Sequence, residues 1–141
     1  MHKWYLWVAI MLGLVAVPCQ AEQVGILTLP KEDYQTIFQP KDENVYVLTF
    51  TAKQWCPPCK NFEENILYPL STKYAAQEKF HFYLVDMTDP KSEDLQFANQ
   101  LNVDRYPTTI ILHNGISEPG QIGYDEKKGS SEIEKKLAPY K

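Results

Sequence analysis

The sequence predicts an α/β domain built on a central sheet with helices on both faces. Three observations carry this. Apolar, β-branched runs recur at Val45–Thr51, Phe80–Val85 and Thr108–Leu112. Helix-like stretches separate them, and strands alternating with helices favour a mostly parallel sheet. An Asn114-Gly115 pair after the last run marks a hairpin, which makes one edge antiparallel.

The elements follow in order. Met1-His2-Lys3 is a short basic start, Trp4 to Val17 carries no charge, and Cys19-Gln20-Ala21 has a small-x-small pattern. This reads as a secretory signal peptide, residues 1–21, cut after Ala21. An uncleaved N-terminal membrane anchor is the alternative, although the run falls short of the roughly 20 apolar residues a span needs. Lipid attachment at Cys19 is disfavoured by the preceding Ala16-Val17-Pro18. Residues 22–141 are then one domain. Pro30 and Pro40 bracket a short helix, Lys31–Phe38.

Val45–Thr51 is apolar almost throughout, as a strand buried on both faces requires. Pro57 and Pro58 open a helix, where a missing N–H costs nothing. That helix is expected to reach about Gln77 with a kink at Pro69. Phe80–Val85 is the second strand. Asp89-Pro90 opens a helix carrying Leu95, Phe97, Ala98 and Leu101, and Thr108–Leu112 is the third strand. Residues 116–124 pair back as an edge strand. Ser130 or Ser131 caps a last amphipathic helix with Ile133 and Leu137 on one face.

Composition narrows the function. The chain has 141 residues, 44% of them apolar and 23% charged, which suits one globular core. Its net charge of −4, without a basic run, argues against a nucleic-acid partner, whose phosphates demand a positive stripe. Cleavage would remove Cys19, Trp4 and Trp7. Cys56 and Cys59 would then be the only cysteines and Trp55 the only tryptophan. An exported destination permits disulfides.

Trp55-Cys56-Pro57-Pro58-Cys59-Lys60 sits where a buried strand gives way to a helix. Cysteines at i and i+3 in a first helical turn face each other closely enough to form a disulfide. Unpaired N–H groups and the positive end of the helix dipole favour a thiolate on the first of them. Cys56 is therefore expected to be the exposed attacking thiol, and Cys59, one turn inside, the resolving one. Trp55 is expected to lay its ring, partly exposed, against the pair. A structural disulfide and half of a zinc site are the rival readings. The first stabilises little across so short a loop. The second lacks another cysteine pair, and His81 and His113 have no ligand spacing. No metal and no cofactor is expected.

Trp-Cys-x-x-Cys at Trp55–Cys59 is followed by Val103, Tyr106-Pro107-Thr108, Asn114-Gly115 and Gly123 in order. This combination resembles the thioredoxin family over about residues 45–140. The resemblance implies the thioredoxin fold, with Pro107 cis beside Cys56 and Cys59. It also implies that the Tyr106 backbone pairs with an extended substrate. Trp55, Pro57, Pro58, Tyr106 and Pro107 would then shape the site. Members of the family carry a buried acid on the strand before the motif, whereas Leu48-Thr49-Phe50-Thr51 has none. Glu63, at i+4 from Cys59, could reach it to move its proton, but is expected to be a solvated helix residue.

The run Thr51-Ala52 to Phe62-Glu63 further resembles the C-terminal thioredoxin-like domain of the bacterial thiol:disulfide interchange reductase. That likeness implies an exported, periplasmic thiol:disulfide oxidoreductase that reduces or exchanges disulfides of exported proteins. Its electrons would come from a membrane-bound thiol:disulfide donor. The alternatives are a periplasmic disulfide oxidase and a redox-inactive binding module of the same fold.

Overall fold

The computed structural model describes residues 26–141. The expected leader, residues 1–21, lies outside the described residues. Five strands form one sheet: β1 (Leu27–Thr28), β2 (Val45–Thr51), β3 (Phe80–Asp86), β4 (Thr108–His113) and β5 (Ile116–Ile122). The helices are α1 (Pro57–Phe62), α2 (Tyr68–Tyr74), α3 (Ser92–Gln100) and α4 (Ser131–Leu137). No helix among the described residues is long and apolar enough to cross a membrane.

The strand order is β1-β3-β2-β4-β5. β1, β3 and β2 run parallel. β4 runs against β2, and β5 against β4. The reversal is therefore not confined to the terminal hairpin, as the alternation predicted. Residues 101–107 carry the chain back from the end of α3 to the end of the sheet where β2 and β3 finish, so β4 starts there and must run the other way. This return brings Pro107 beside the cysteines. β1 escaped the sequence pattern because it is two residues long and both are exposed.

Alternate residues of β2 feed two cores. Val45 and Val47 pack with Phe62, Ile66, Leu67, Leu70 and Tyr74 of the α1–α2 run and with Ile133 and Leu137 of α4. Leu48 and Phe50 pack on the opposite face with Tyr34, Ile37, Phe97 and Ala98. The helix expected over Lys31–Phe38 is instead two separate 3₁₀ turns, Lys31–Asp33 and Thr36–Phe38. Tyr34 lies between them, and its ring stacks on Phe97 at 4.1 Å. The helix expected from Pro57 to about Gln77 is interrupted by a π-helical segment, Glu63–Leu67. There the Tyr68 N–H reaches back to the Glu63 carbonyl. Pro69 has no N–H and its ring crowds the preceding turn, so the wider turn absorbs the misfit. The run stops at Tyr74, where the Ala75 N–H turns in to the Thr72 carbonyl.

Asn114 and Gly115 both have positive φ, 53° and 73°, as a type I′ hairpin requires. A Cβ on Gly115 would lie 2.8 Å from the Phe38 carbonyl oxygen, so only glycine fits. β5 ends at Ile122, short of residue 124, because Gly123 turns away with φ 75°. Ser130 occupies the N-cap of α4 without a side-chain capping bond, and the Ser131 hydroxyl donates to the Lys128 carbonyl instead.

Candidate active site

The site forms where β2 runs out. The Trp55 N–H closes a turn onto the Ala52 carbonyl at 3.1 Å, and α1 begins two residues later. Pro57 and Pro58 have no N–H groups, so the first donor of the helix belongs to Cys59. That N–H lies 3.0 Å from the Cys56 carbonyl and 3.2 Å from the Cys56 sulfur. Cys56 thus caps its own helix through Sγ. In the reduced state the same donor and the helix dipole would face a thiolate.

Cys56 and Cys59 are joined as a disulfide, with Cα atoms 5.3 Å apart. Among the described residues no group of three His, Cys, Asp or Glu comes together to hold a metal. Cys59 is fully buried, and Cys56 keeps only 8% of its surface. The expected ranking stands, but Cys56 is less exposed than its place at a helix start suggests. Tyr106 accounts for part of this cover. It packs on the pair with Ala52, and its carbonyl oxygen lies 4.0 Å from Cys56 Sγ. Burial pushes its phenol above the ordinary range. The Tyr106–Pro107 peptide is cis. Pro107 is buried, and its carbonyl accepts the Gly123 N–H at 2.8 Å.

Trp55 stands 58% exposed, in edge contact with Tyr106 at 5.9 Å between ring centroids. Its indole N–H donates to the Thr88 carbonyl at 3.0 Å. Trp55 and Tyr106 together make an aromatic rim on one side of Cys56. Sequence spacing gives no sign of Thr88, which reaches the site only because β3 pairs with β2 and ends beside it.

Glu63 is the larger correction. It is buried, at 6% exposure, and its Oε1 has no hydrogen-bond partner among the described residues. Its backbone N–H donates to the Cys59 carbonyl, which places it one turn above the resolving cysteine. Burial pushes its carboxyl up, and the nearby Thr51 hydroxyl and Lys53 ammonium offset part of that. Among the described residues, Thr51 Oγ1 and Glu63 Oε1 form no hydrogen bond with each other or with any other group. On the strand itself, Thr49 is buried with its hydroxyl 2.9 Å from that of Thr109. The site therefore holds a buried acid, supplied by the helix and not by the strand.

The Thioredoxin family model matches residues 25–138. The chain belongs to the thioredoxin family. It is 29% identical over 94 residues to thioredoxin H10 of Arabidopsis thaliana, covering 67% of this chain and 53% of that protein. It thus spans about half the length of that relative. Oxidised thioredoxin O2 of Arabidopsis thaliana superposes with a TM-score of 0.62 at 21% identity, over 83% of this chain and 96% of the other. Thioredoxin of Trypanosoma brucei brucei gives 0.63 at 20% identity, over 84% and 96%. At such identities the likeness is one of thioredoxin fold. Family membership and the closed Cys56–Cys59 pair together support thiol:disulfide oxidoreductase activity.

Proposed function

We propose that this thioredoxin-family protein is an exported, periplasmic enzyme that reduces or exchanges disulfides of exported proteins. The observation that carries the chemistry is the Cys56–Cys59 disulfide at the start of α1, with the Cys56 sulfur 3.2 Å from the Cys59 N–H. In the reduced enzyme the Cys56 thiolate attacks one sulfur of a client disulfide and displaces the other as a thiolate. The Cys59 sulfur, having lost its proton, then attacks Cys56 Sγ and displaces the client's second thiolate. The client gains two electrons and two protons, and the enzyme is left as the observed disulfide. A membrane-bound dithiol donor returns it to the reduced form by the same exchange in reverse. Export rests on the charge-free run Trp4–Val17 and the Cys19-Gln20-Ala21 pattern.

The test is capture. A Cys59→Ala variant of the full chain should accumulate mixed disulfides with exported proteins through Cys56, and a Cys56→Ala variant should accumulate none. Trapping by Cys56→Ala and not by Cys59→Ala would reverse the assigned roles, and equal trapping by both would overturn them. Titration of the wild-type pair against glutathione then fixes direction. A potential near about −270 mV belongs to a reductase and one near about −120 mV to an oxidase. Cell fractionation with mass analysis of the exported form checks for a new N-terminus at Glu22.

A further inference from the structure

The Trp55 ring is an exposed aromatic with little burial to hold it in place. A side chain more than half in water keeps one orientation only if specific contacts fix it. Two do so here: the edge contact with Tyr106 and the hydrogen bond from Nε1 to the Thr88 carbonyl. The second depends on how residues 86–88 are folded. Asp86 Oδ1 accepts from the Thr88 N–H at 3.0 Å and from the Thr88 hydroxyl at 2.6 Å. Between them, the Met87 N–H is bound to the Thr51 carbonyl at 2.6 Å, and the Met87 side chain is fully buried. The segment is thus pinned to the end of β2 at Met87 and folded over by Asp86. Its outward face is the one carbonyl that meets the indole. An indole N–H can only donate, so it needs this acceptor or water.

We propose that Asp86 is a positioning residue for client recognition. Through the Thr88 carbonyl it holds the Trp55 ring upright beside Tyr106, so that the rim is already shaped when a client arrives. This deepens the proposed oxidoreductase reading and rests on it. The reasoning is one of preorganisation: a large aromatic at the margin of a docking surface contributes most when it does not have to be ordered on binding. Asp86 touches neither sulfur and takes no part in electron transfer. Its removal should be felt in KM for protein clients and not in kcat.

The experiment uses the full chain in five forms: wild type, Asp86→Ala, Asp86→Asn, Trp55→Phe and the Trp55→Phe/Asp86→Ala double variant. Each is assayed for reduction of an oxidised protein client. Asp86→Ala should raise KM by about 3- to 10-fold, the scale set by one net hydrogen bond, with kcat within about twofold. Asp86→Asn keeps the oxygen acceptor and should restore KM. The indole N–H resonance of Trp55, assigned by its loss in Trp55→Phe, should exchange with solvent faster in Asp86→Ala than in wild type. The Trp55→Phe chain leaves the 86–88 turn intact and should share the raised KM. Combining it with Asp86→Ala should add little further, since both remove one interaction. Unchanged KM and unchanged indole exchange in a folded Asp86→Ala chain would overturn the proposal. If Asp86→Ala does not fold, a wild-type KM in Trp55→Phe overturns it. A wild-type chain that reduces no protein client would instead count against the proposed function itself.

Discussion

Glu63 is a glutamate in the core one turn from a resolving cysteine. Its spacing from Cys59 is legible in the sequence, but its burial is not, because glutamates on helices usually face water. What buries it is the rotation of α1 over the end of β2, which aims the side chain at Thr51. The consequence can be signed. A carboxyl that ionises less readily in the folded chain than its ordinary 4.5 withdraws stability as pH rises above that value and through its folded one. Glu63→Gln should remove that decline, so the variant should gain on wild type in urea melts as pH increases. Turnover should move the other way. The Cys59 thiol must lose its proton to resolve a mixed disulfide, and Glu63 is the nearest buried acceptor along the helix. We expect resolution to slow by about 100-fold or more in Glu63→Gln, the lower end of the scale of general base catalysis. Stopped-flow decay of a preformed mixed disulfide measures this. An unchanged rate would return Glu63 to a packing role. Cys56, Cys59 and Trp55 were legible as site residues, because their types and order carry the chemistry. That Tyr106 packs on the sulfurs was not, since it depends on where β4 begins.

Among the elements, the start of α3 is fastened to the first 3₁₀ turn by one buried carboxylate. Asp94 accepts from the Tyr34 hydroxyl at 2.7 Å and the Lys91 N–H at 2.8 Å, and Lys31 Nζ lies 3.3 Å away. Burial opposes its ionisation, but these three donors outweigh it and hold the carboxyl below its ordinary 3.8. A lowered value means stability that is present above 3.8 and lost as pH falls through the folded value. Asp94→Asn should lower stability near neutrality by about 1–3 kcal/mol, as expected for charge-assisted bonds. It should also flatten the acid limb of a stability–pH curve. Chemical denaturation across that range checks both. Residues 31–38 also mark the limit of sequence reading at this scale. The two prolines bound the segment correctly, yet Tyr34 must turn inward onto Phe97, and a single regular helix does not allow it. The α1–α2 run was readable from its prolines and apolar spacing. The form of its irregularity was not, because a π-helical turn leaves no periodic signature.

For the molecule as a whole, β2 lies between β3 and β4 and is buried on both faces. Its amides should open only with global unfolding, whereas β1 and β5 at the margins should open locally. In native-state hydrogen exchange, Val47 to Phe50 should be the slowest of the strand amides and Leu27 and Thr28 among the fastest. Comparable protection at β1 would mean that this short pairing is part of the cooperative core. The alternation of strands and helices gave the layering directly. The direction of β4 was hidden, because it depends on residues 101–107 being long enough to recross the molecule.

The two margins of the sheet have a further consequence. β1 offers two residues, and β5 carries Pro119, which has no N–H, beside a break in register at Thr109/Ile110. Neither rim can template a long added strand. Unfolded disulfide-containing proteins are rich in unpaired extended segments, and a partner with an open rim would become entangled with them. This sheet gives such a segment no lengthwise hold. A client can meet it briefly at the sulfurs and depart once its bond has been exchanged.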